Sequence, residues 1–345
     1  MDSSTRIPFA LTAYGLPHTM GYLATKSGDK RRTPLTAVGL VELADSLGLE
    51  GAEFPLLSRV PSFDGAVVEV AAGAQEACAE ARRRGMRVVA DHGALLDNAT
   101  DHLTAYLKLV AESGATVMRA TLSHILCGDR RTQQGGWEAH RDALAKRLRE
   151  LLPAAEDLGV CIAVENHQDA TTEDLLWLAD KTGNSPAFGV TLDAGNPLAV
   201  GQDPVETARR LAHIIRHLHV KDYTIHFAPE GYRLVRCAAG DGVVDLPAIL
   251  EAVRANGHDV LPGIEIAAQS TRTVPLLDAG WWEEYPPRDA RALLPALRIL
   301  WERGRPADEP YASAWERGAD SDTVAEEELA VVRRTVAYFR TWSAS

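Results

Sequence analysis

The stretch VCIAVENHQDATTEDLLWLADKTGNSPAFGVTLDAGNP, residues 160–197, decides the architecture. It opens on a short apolar run, Val160–Glu165, rich in β-branched side chains, as a strand covered on both faces should be. Thr171-Thr172-Glu173-Asp174 then reads as a helix start, with a hydroxyl cap and acids in the first turn. A second apolar run, Phe188–Asp193, follows. Strand, helix, strand is the unit that joins parallel neighbours in one sheet.

Working outward, the same alternation covers most of the chain. Runs at Phe9–Tyr14, Ala52–Leu57, Arg87–Asp91 and Thr116–Leu122 precede it, and Ile215–Val220 and Pro262–Ile266 follow. Thr33-Pro34 and Asp203-Pro204 each offer a cap with Pro at the first helical position. Ser46-Leu47-Gly48 and Asp157-Leu158-Gly159 stop helices before the next strand. Eight strands at a period of about 30–35 residues predict an α/β fold, a (β/α)8 TIM barrel with a C-terminal helical extension. A doubly wound open sheet is the alternative, but no GxGxxG follows the first strand to favour it.

Two stretches break the period. Residues 224–245 make a long connection after strand seven, ending in Gly240-Asp241-Gly242 with a helix start at Asp245. Residues 270–345 continue past strand eight and hold five of the seven tryptophans. The expected division is therefore a barrel over residues 1–268 and an extension over 269–345 packed on the same domain. That extension is either a helical wrap or dimer contact, or it hangs Trp281 or Trp282 over the barrel mouth as a sugar-stacking wall.

Composition narrows the partners. The chain has 345 residues, 46% hydrophobic and 24% charged, with 36 basic against 48 acidic side chains and a net charge of −12. Such a field repels phosphate backbones and anionic membrane surfaces. Arg82-Arg83-Arg84 reads as a solvated helix end. Cys78, Cys127, Cys161 and Cys237 lack CxxC spacing, which fits a reducing compartment. With no signal-peptide pattern and no apolar stretch near the roughly 20 residues of a membrane span, a cytoplasmic location is expected.

The chemistry-bearing groups of such a barrel sit at the carboxyl ends of its strands. On strands five to eight the last inward positions are Glu165 in VENH, Asp193 in TLDAGN, His219 in HLHVKD and Glu265 in GIEIA. Alternation supports this, since Cys161, Ala163 and Glu165 share a face, as do Ile215, His217 and His219. Steps of 28 and 26 residues separate the first three, each about one strand-helix unit; the 46 to Glu265 absorb the long loop. Three carboxylates brought together would repel unless a cation neutralised them. Oxygen-rich ligation with one imidazole suits Mn2+ best, with Mg2+ or Co2+ possible.

Other residues are candidates for substrate contact: Glu53, His92, His124, His167, Asn196 and Lys221. Lys221 shares the parity of His219 and could polarise a carbonyl or stabilise an enolate. Glu53 could instead orient His92. Tyr14 is a candidate for the pocket wall, Arg119 for a buried ion pair and Asp222 for orienting loop groups. Arg233 and Arg236 are candidates to meet an anionic or keto substrate, though solvation is the default for loop arginines. His217, one layer below His219, reads as a core residue.

The pieces VENH, LDAGNP, HLHVKD with GDGVVD after it, and GIEI resemble the xylose-isomerase-like superfamily. Within it they are similar to the sugar phosphate isomerase/epimerase group over roughly residues 7–268. That group includes ketose 3-epimerases, hydroxypyruvate isomerase and inosose dehydratase, with endonuclease IV more distant. The resemblance implies that Glu165, Asp193, His219 and Glu265 hold one divalent metal and that the two glutamates also move protons. Ketose 3-epimerases carry a His three residues after the metal-binding Asp, where this chain has Asn196. Endonuclease IV needs a trinuclear zinc site with histidines absent here.

The expected activity is that of a metal-dependent sugar isomerase or epimerase acting on a ketose or keto-sugar through a metal-bound enediolate. The alternative is a metal-dependent lyase on an oxidised sugar, such as an inosose dehydratase or C-glycoside-cleaving enzyme, because both outcomes share one enolate. A non-catalytic barrel is a third possibility that the intact tetrad opposes. The expected partner is a small sugar, with no nucleic acid and no membrane, and with a homo-oligomer or partner subunit possible through the extension.

Overall fold

The computed structural model describes residues 6–56, 59–61, 67–69, 73–266, 269–309 and 311–343. Eight strands close a parallel barrel. They are β1 (Ile7–Thr12), β2 (Leu49–Pro55), β3 (Arg87–Ala94), β4 (Val117–Thr121), β5 (Cys161–Glu165), β6 (Phe188–Asp193), β7 (Ile215–Val220) and β8 (Pro262–Ile264). Each pairs with its sequence neighbours, and β8 returns to β1 through Ala10 and Gly263. The first strand begins two residues earlier than the hydropathy suggests, because Ile7 pairs with Leu49 and donates its N–H to the Gly48 carbonyl at 3.0 Å. Strand two likewise begins at Leu49, and its expected end at Leu57 lies outside the described residues.

The helices are α1 (Ala37–Ser46), α2 (Ala74–Arg83), α3 (Thr100–Ser113), α4 (Trp137–Asp157), α5 (Thr172–Lys181), α6 (Pro204–Leu211), α7 (Leu246–Arg254), α8 (Ala290–Arg303) and α9 (Ser321–Ser343). At α5 the expected cap is a full capping box, in which Thr171 and Asp174 each bond the other's backbone N–H. Asp203 and Asp245 cap α6 and α7. The cap of α1 is Thr36 rather than Thr33, its hydroxyl accepting from the Gly39 N–H at 3.1 Å. The Leu35 N–H is held by the Thr19 carbonyl, which keeps the chain out of helix until Thr36.

Outward strand residues such as Leu11, Ile162, Val190, Leu192 and Val220 are buried against helix residues such as Leu40, Leu107, Leu148 and Leu250. Each such side chain contributes about 1.5–3 kcal/mol by leaving water. Inside the barrel the aliphatic filling is thin: Ala10, Val89 and Leu261 plug the lower end. Above that plug the interior turns polar, and the site begins there.

The helix ring is completed from far along the chain. Phe339 of α9 stacks on Phe9 of β1 at 4.3 Å, Arg340 donates to the Leu47 carbonyl after α1, and Arg254 of α7 lies 4.8 Å over Trp342. α9 therefore stands between α7 and α1, the place of the eighth barrel helix. α8 lies outside the ring. It packs against an antiparallel hairpin, Asp222–Ala228 with Gly231–Cys237, into which the long connection after β7 folds. Among the described residues no helix is long and apolar enough to cross a membrane.

Candidate metal centre and active-site cavity

Register decides which side chains meet. Asp193 pairs with His219 across β6 and β7, Glu165 with Thr191 across β5 and β6, and Glu265 follows β8 with its N–H on the Val220 carbonyl at 3.1 Å. All four side chains are buried, and one ligand atom from each lies within 4.8 Å of the others.

His219 shows what this cluster is built for. Its Nε2 lies 2.9 and 3.0 Å from the two oxygens of Glu53, and His217 Nε2 lies 2.8 Å from the same carboxylate. A carboxylate only accepts, so both imidazoles donate there, and Nδ1 of His219 is left facing the cluster; burial works against a charged ring, but Glu53 and Glu265 hold its pKa well above the ordinary value. Nδ1 stands 2.9 Å from Glu265 Oε2 and 3.9 Å from Glu165 Oε2. Asp193 Oδ2 has no hydrogen bond, although it touches the Lys221 ammonium. An imidazole nitrogen and carboxylate oxygens converging on one buried point suit a divalent cation, which would take the place of the Nδ1 proton. The carboxylate behind the histidine is the usual support of a metal-binding imidazole.

The charges around the point agree. Burial and then Glu265 and Glu165 push Asp193 up to about 6, against the pull of Lys221. Burial also acts on Glu165 and Glu265, but Arg119 holds the first, and Lys221 with His219 the second, well below the usual carboxylate range. Arg119 reaches Asp91 at 2.8 Å and also contacts Glu165. Lys221 Nζ lies 2.7 Å from Glu265 Oε1. Gly263 supplies the room, since a Cβ there would meet Thr12 Cγ2 at 2.6 Å and Glu53 Oε2 at 3.0 Å.

A cavity of about 100 Å³ opens beside Glu265. Tyr14, Arg119, His124 and His167 line it, with Arg236 and Arg272. Of the other residues proposed from sequence, Asn196 stands behind the cluster, donating to Glu165 Oε1 at 3.4 Å. Glu53 is turned to the two histidines, not to His92. His92 rests edge-on against Tyr106 at 4.9 Å and is not among the cavity walls. His124 is largely exposed and bonded to Asp97 at 2.8 Å, whereas burial takes His167 down to about 4. Asp222 gathers the N–H groups of Gly240, Gly242 and Val244, each at 3.0 Å, which ties the end of the long connection to β7.

Trp281 and Trp282 are not cavity walls either. Trp281 is fully buried and donates to the Cys127 carbonyl at 2.9 Å, and Trp282 to Leu276 at 2.9 Å. Sequence reading missed Asp91 and Arg272. A guanidinium in the middle of an apolar strand needs a buried counter-charge. Asp91, directly opposite Arg119 on β3, was the signal available for the first.

His219→Ala is expected to leave the protein unable to retain a divalent ion. His217→Ala should lower the melting temperature yet keep the ion, because Glu53 still accepts from His219. Metal analysis of the two purified variants checks this, and equal loss from both would show that the binding point is misplaced.

Residues 41–293 match the family described as xylose isomerase-like TIM barrel. A 3-oxo-isoapionate decarboxylase of Pectobacterium atrosepticum is 30% identical over 166 residues, 47% of this chain and 56% of that protein. An inosose dehydratase of Clostridium botulinum is 25% identical over 165 residues, 44% of this chain and 54% of that protein. The chain thus spans about half the length of these relatives. In three dimensions it is similar to a xylose isomerase-like TIM barrel protein of Mycobacterium smegmatis in complex with magnesium. The TM-score is 0.56 at 16% identity, covering 87% of this chain and 97% of that one. The barrel, its strand-end cluster and the match over most of the chain agree: this protein belongs to the xylose isomerase-like TIM barrel family.

Proposed function

We propose that the chain is a divalent-metal-dependent isomerase or epimerase of a ketose or keto-sugar. The observation that supports this most is the placement of two buried glutamates, Glu165 and Glu265, on either side of the Asp193–His219 pair. A divalent cation held by the four residues would polarise adjacent substrate oxygens and acidify the C–H between them. Glu165 and Glu265 flank that point and serve as the groups that take the proton and return it. Arg119 and Asn196 fix Glu165, and Lys221 fixes Glu265 while presenting an ammonium to charge that develops on the carbonyl oxygen. Return to the neighbouring carbon is isomerisation, and return to the opposite face is epimerisation.

A lyase reading has support of its own. Lys221 bridges Asp193 and Glu265, so an acid group stands inside the cluster where a leaving oxygen or a forming carbanion would need one. The partial likeness to a decarboxylase and a dehydratase points the same way.

Solvent exchange tests the shared first step. Incubation of the Mn2+-loaded protein with D-fructose, D-fructose 6-phosphate and D-fructuronate in deuterium oxide should place deuterium on the carbon next to the carbonyl of at least one of them. Chelation of the metal should stop it. Exchange followed by loss of a hydroxyl or of a carbon fragment would select the lyase. Neither exchange nor a primary isotope effect on a turned-over substrate would favour metal-assisted hydrolysis instead.

A further inference from the structure

The connections after β7 and β8 build a wall over the barrel mouth. Strand Gly231–Cys237 pairs on one side with Asp222–Ala228 and on the other with Arg272–Val274. Alternation puts Tyr232, Leu234 and Arg236 on one face. Val274 stands directly opposite Tyr232, and Arg272 opposite Leu234, so they share that face. Tyr232, Leu234 and Val274 are buried, which makes this the inward face. It delivers Arg236 and Arg272 into the cavity one diagonal step apart. Arg233, on the other face, goes to Thr271 and Glu316.

These two arginines differ from Arg119, whose charge is matched by Asp91 and Glu165. Neither Arg236 nor Arg272 is ion-paired with a carboxylate among the described residues, and the Nε of each is buried without a hydrogen bond. Arg236 has the Tyr223 hydroxyl as a partner. Arg272 is worse placed: burial and then the neighbouring Arg236 both work against its charge. Sequestered charge is costly until it is paired, and a guanidinium fork matches a carboxylate or phosphate. Glu265 and Asp193 favour the charge of Arg236 without an ion pair, while Arg272 has no carboxylate acting on it among the described residues, so in a chain of net charge −12 the pair is an arrangement that an anion completes.

We propose that Arg236 and Arg272 form an anion subsite beside the four-residue cluster, and that the substrate is a sugar bearing a carboxylate or phosphate outside its reacting carbons. The inference rests on reading the cavity as that of a sugar enzyme, and it adds a charge to the substrate class. A neutral ketose would leave Arg272 without a counter-charge and both Nε atoms without a partner.

Three six-carbon polyols test it: D-glucitol, D-gluconate and D-glucitol 6-phosphate, titrated calorimetrically into Mn2+-loaded protein. One of the two anions should bind about tenfold tighter than D-glucitol or better, and the one that does so tells carboxylate from phosphate. Arg236→Gln and Arg272→Gln should each remove that preference with one Mn2+ per chain retained, and Arg272→Lys should keep part of it. If neither D-gluconate nor D-glucitol 6-phosphate binds tighter than D-glucitol, the proposal is overturned. A preference that survives both Gln variants overturns it too, since the anion would then be chelating the ion. Repeating the titrations on metal-free protein separates the two readings: an arginine-dependent preference in a protein that takes up no Mn2+ removes the metal reading alone.

Discussion

Asp193→Asn is expected to abolish turnover and to yield a protein that retains no divalent ion after gel filtration. The substitution keeps shape and volume but removes the charge that the cluster can least support without a cation. Asp193 is held up at about 6 by burial and by its neighbours Glu265 and Glu165. In the metal-free state its loss should therefore cost little, because Lys221 keeps Glu265 as a counter-charge at 2.7 Å. The difference appears when metal is added. An ion that binds only the folded form stabilises it by about 2.7 kcal/mol at a concentration of 100 times its Kd. Denaturant titrations should show that gain in the wild type and none in Asp193→Asn. Equal stabilisation of both would mean that Asp193 is a structural partner of Lys221 and that the ion, if any, sits elsewhere.

The legibility of this molecule in its sequence follows how locally each feature is encoded. The barrel is written in a repeating period, and the capping box at Thr171 and Asp174 is written in four adjacent residues. The strand-end acids were legible because β alternation and a regular period fix both direction and height, and the register does bring Glu165, Asp193, His219 and Glu265 together. What depends on a distant partner was not legible. Thr33-Pro34 has the composition of a helix start, but the Leu35 N–H is taken by Thr19, and the cap moves to Thr36. Residues 321–343 read as part of an extension, since nothing local says that Phe339 will stack on Phe9 and fill the eighth place in the ring. Arg236 sits in a stretch, GYRLVRC, whose alternation was present. Its inward face could be assigned only once Leu234 had Arg272 opposite it.

Arg130 is a second residue that only the fold explains, and its removal should have the largest effect on stability outside the cluster. It is fully buried, which an arginine tolerates only when every part of it is matched. Its Nη2 donates to the Asp169 carbonyl at 2.8 Å and contacts Asp174, and its Nε donates to the same carbonyl at 3.1 Å. The flat of the guanidinium lies 4.4 Å from the Trp137 ring and 4.1 Å from that of Tyr285. One side chain thus joins the start of α4, the loop after β5, the cap of α5 and the segment after β8. Arg130→Met keeps much of the volume and strands the carbonyl of Asp169 and part of the Asp174 charge, so a loss of about 3–5 kcal/mol is expected. Asp174 retains Arg141 at 3.1 Å and the Trp137 N–H at 3.2 Å, which favours the lower end of that range. The loop it releases carries His167 and Gln168 into the cavity, so substrate affinity should fall while the divalent ion stays bound. Urea denaturation of Arg130→Met, Asp174→Asn and the double variant measures the coupling. A loss below about 1 kcal/mol, the range of a surface pair, would mean that the stacked aromatics and not the ion pair hold this junction.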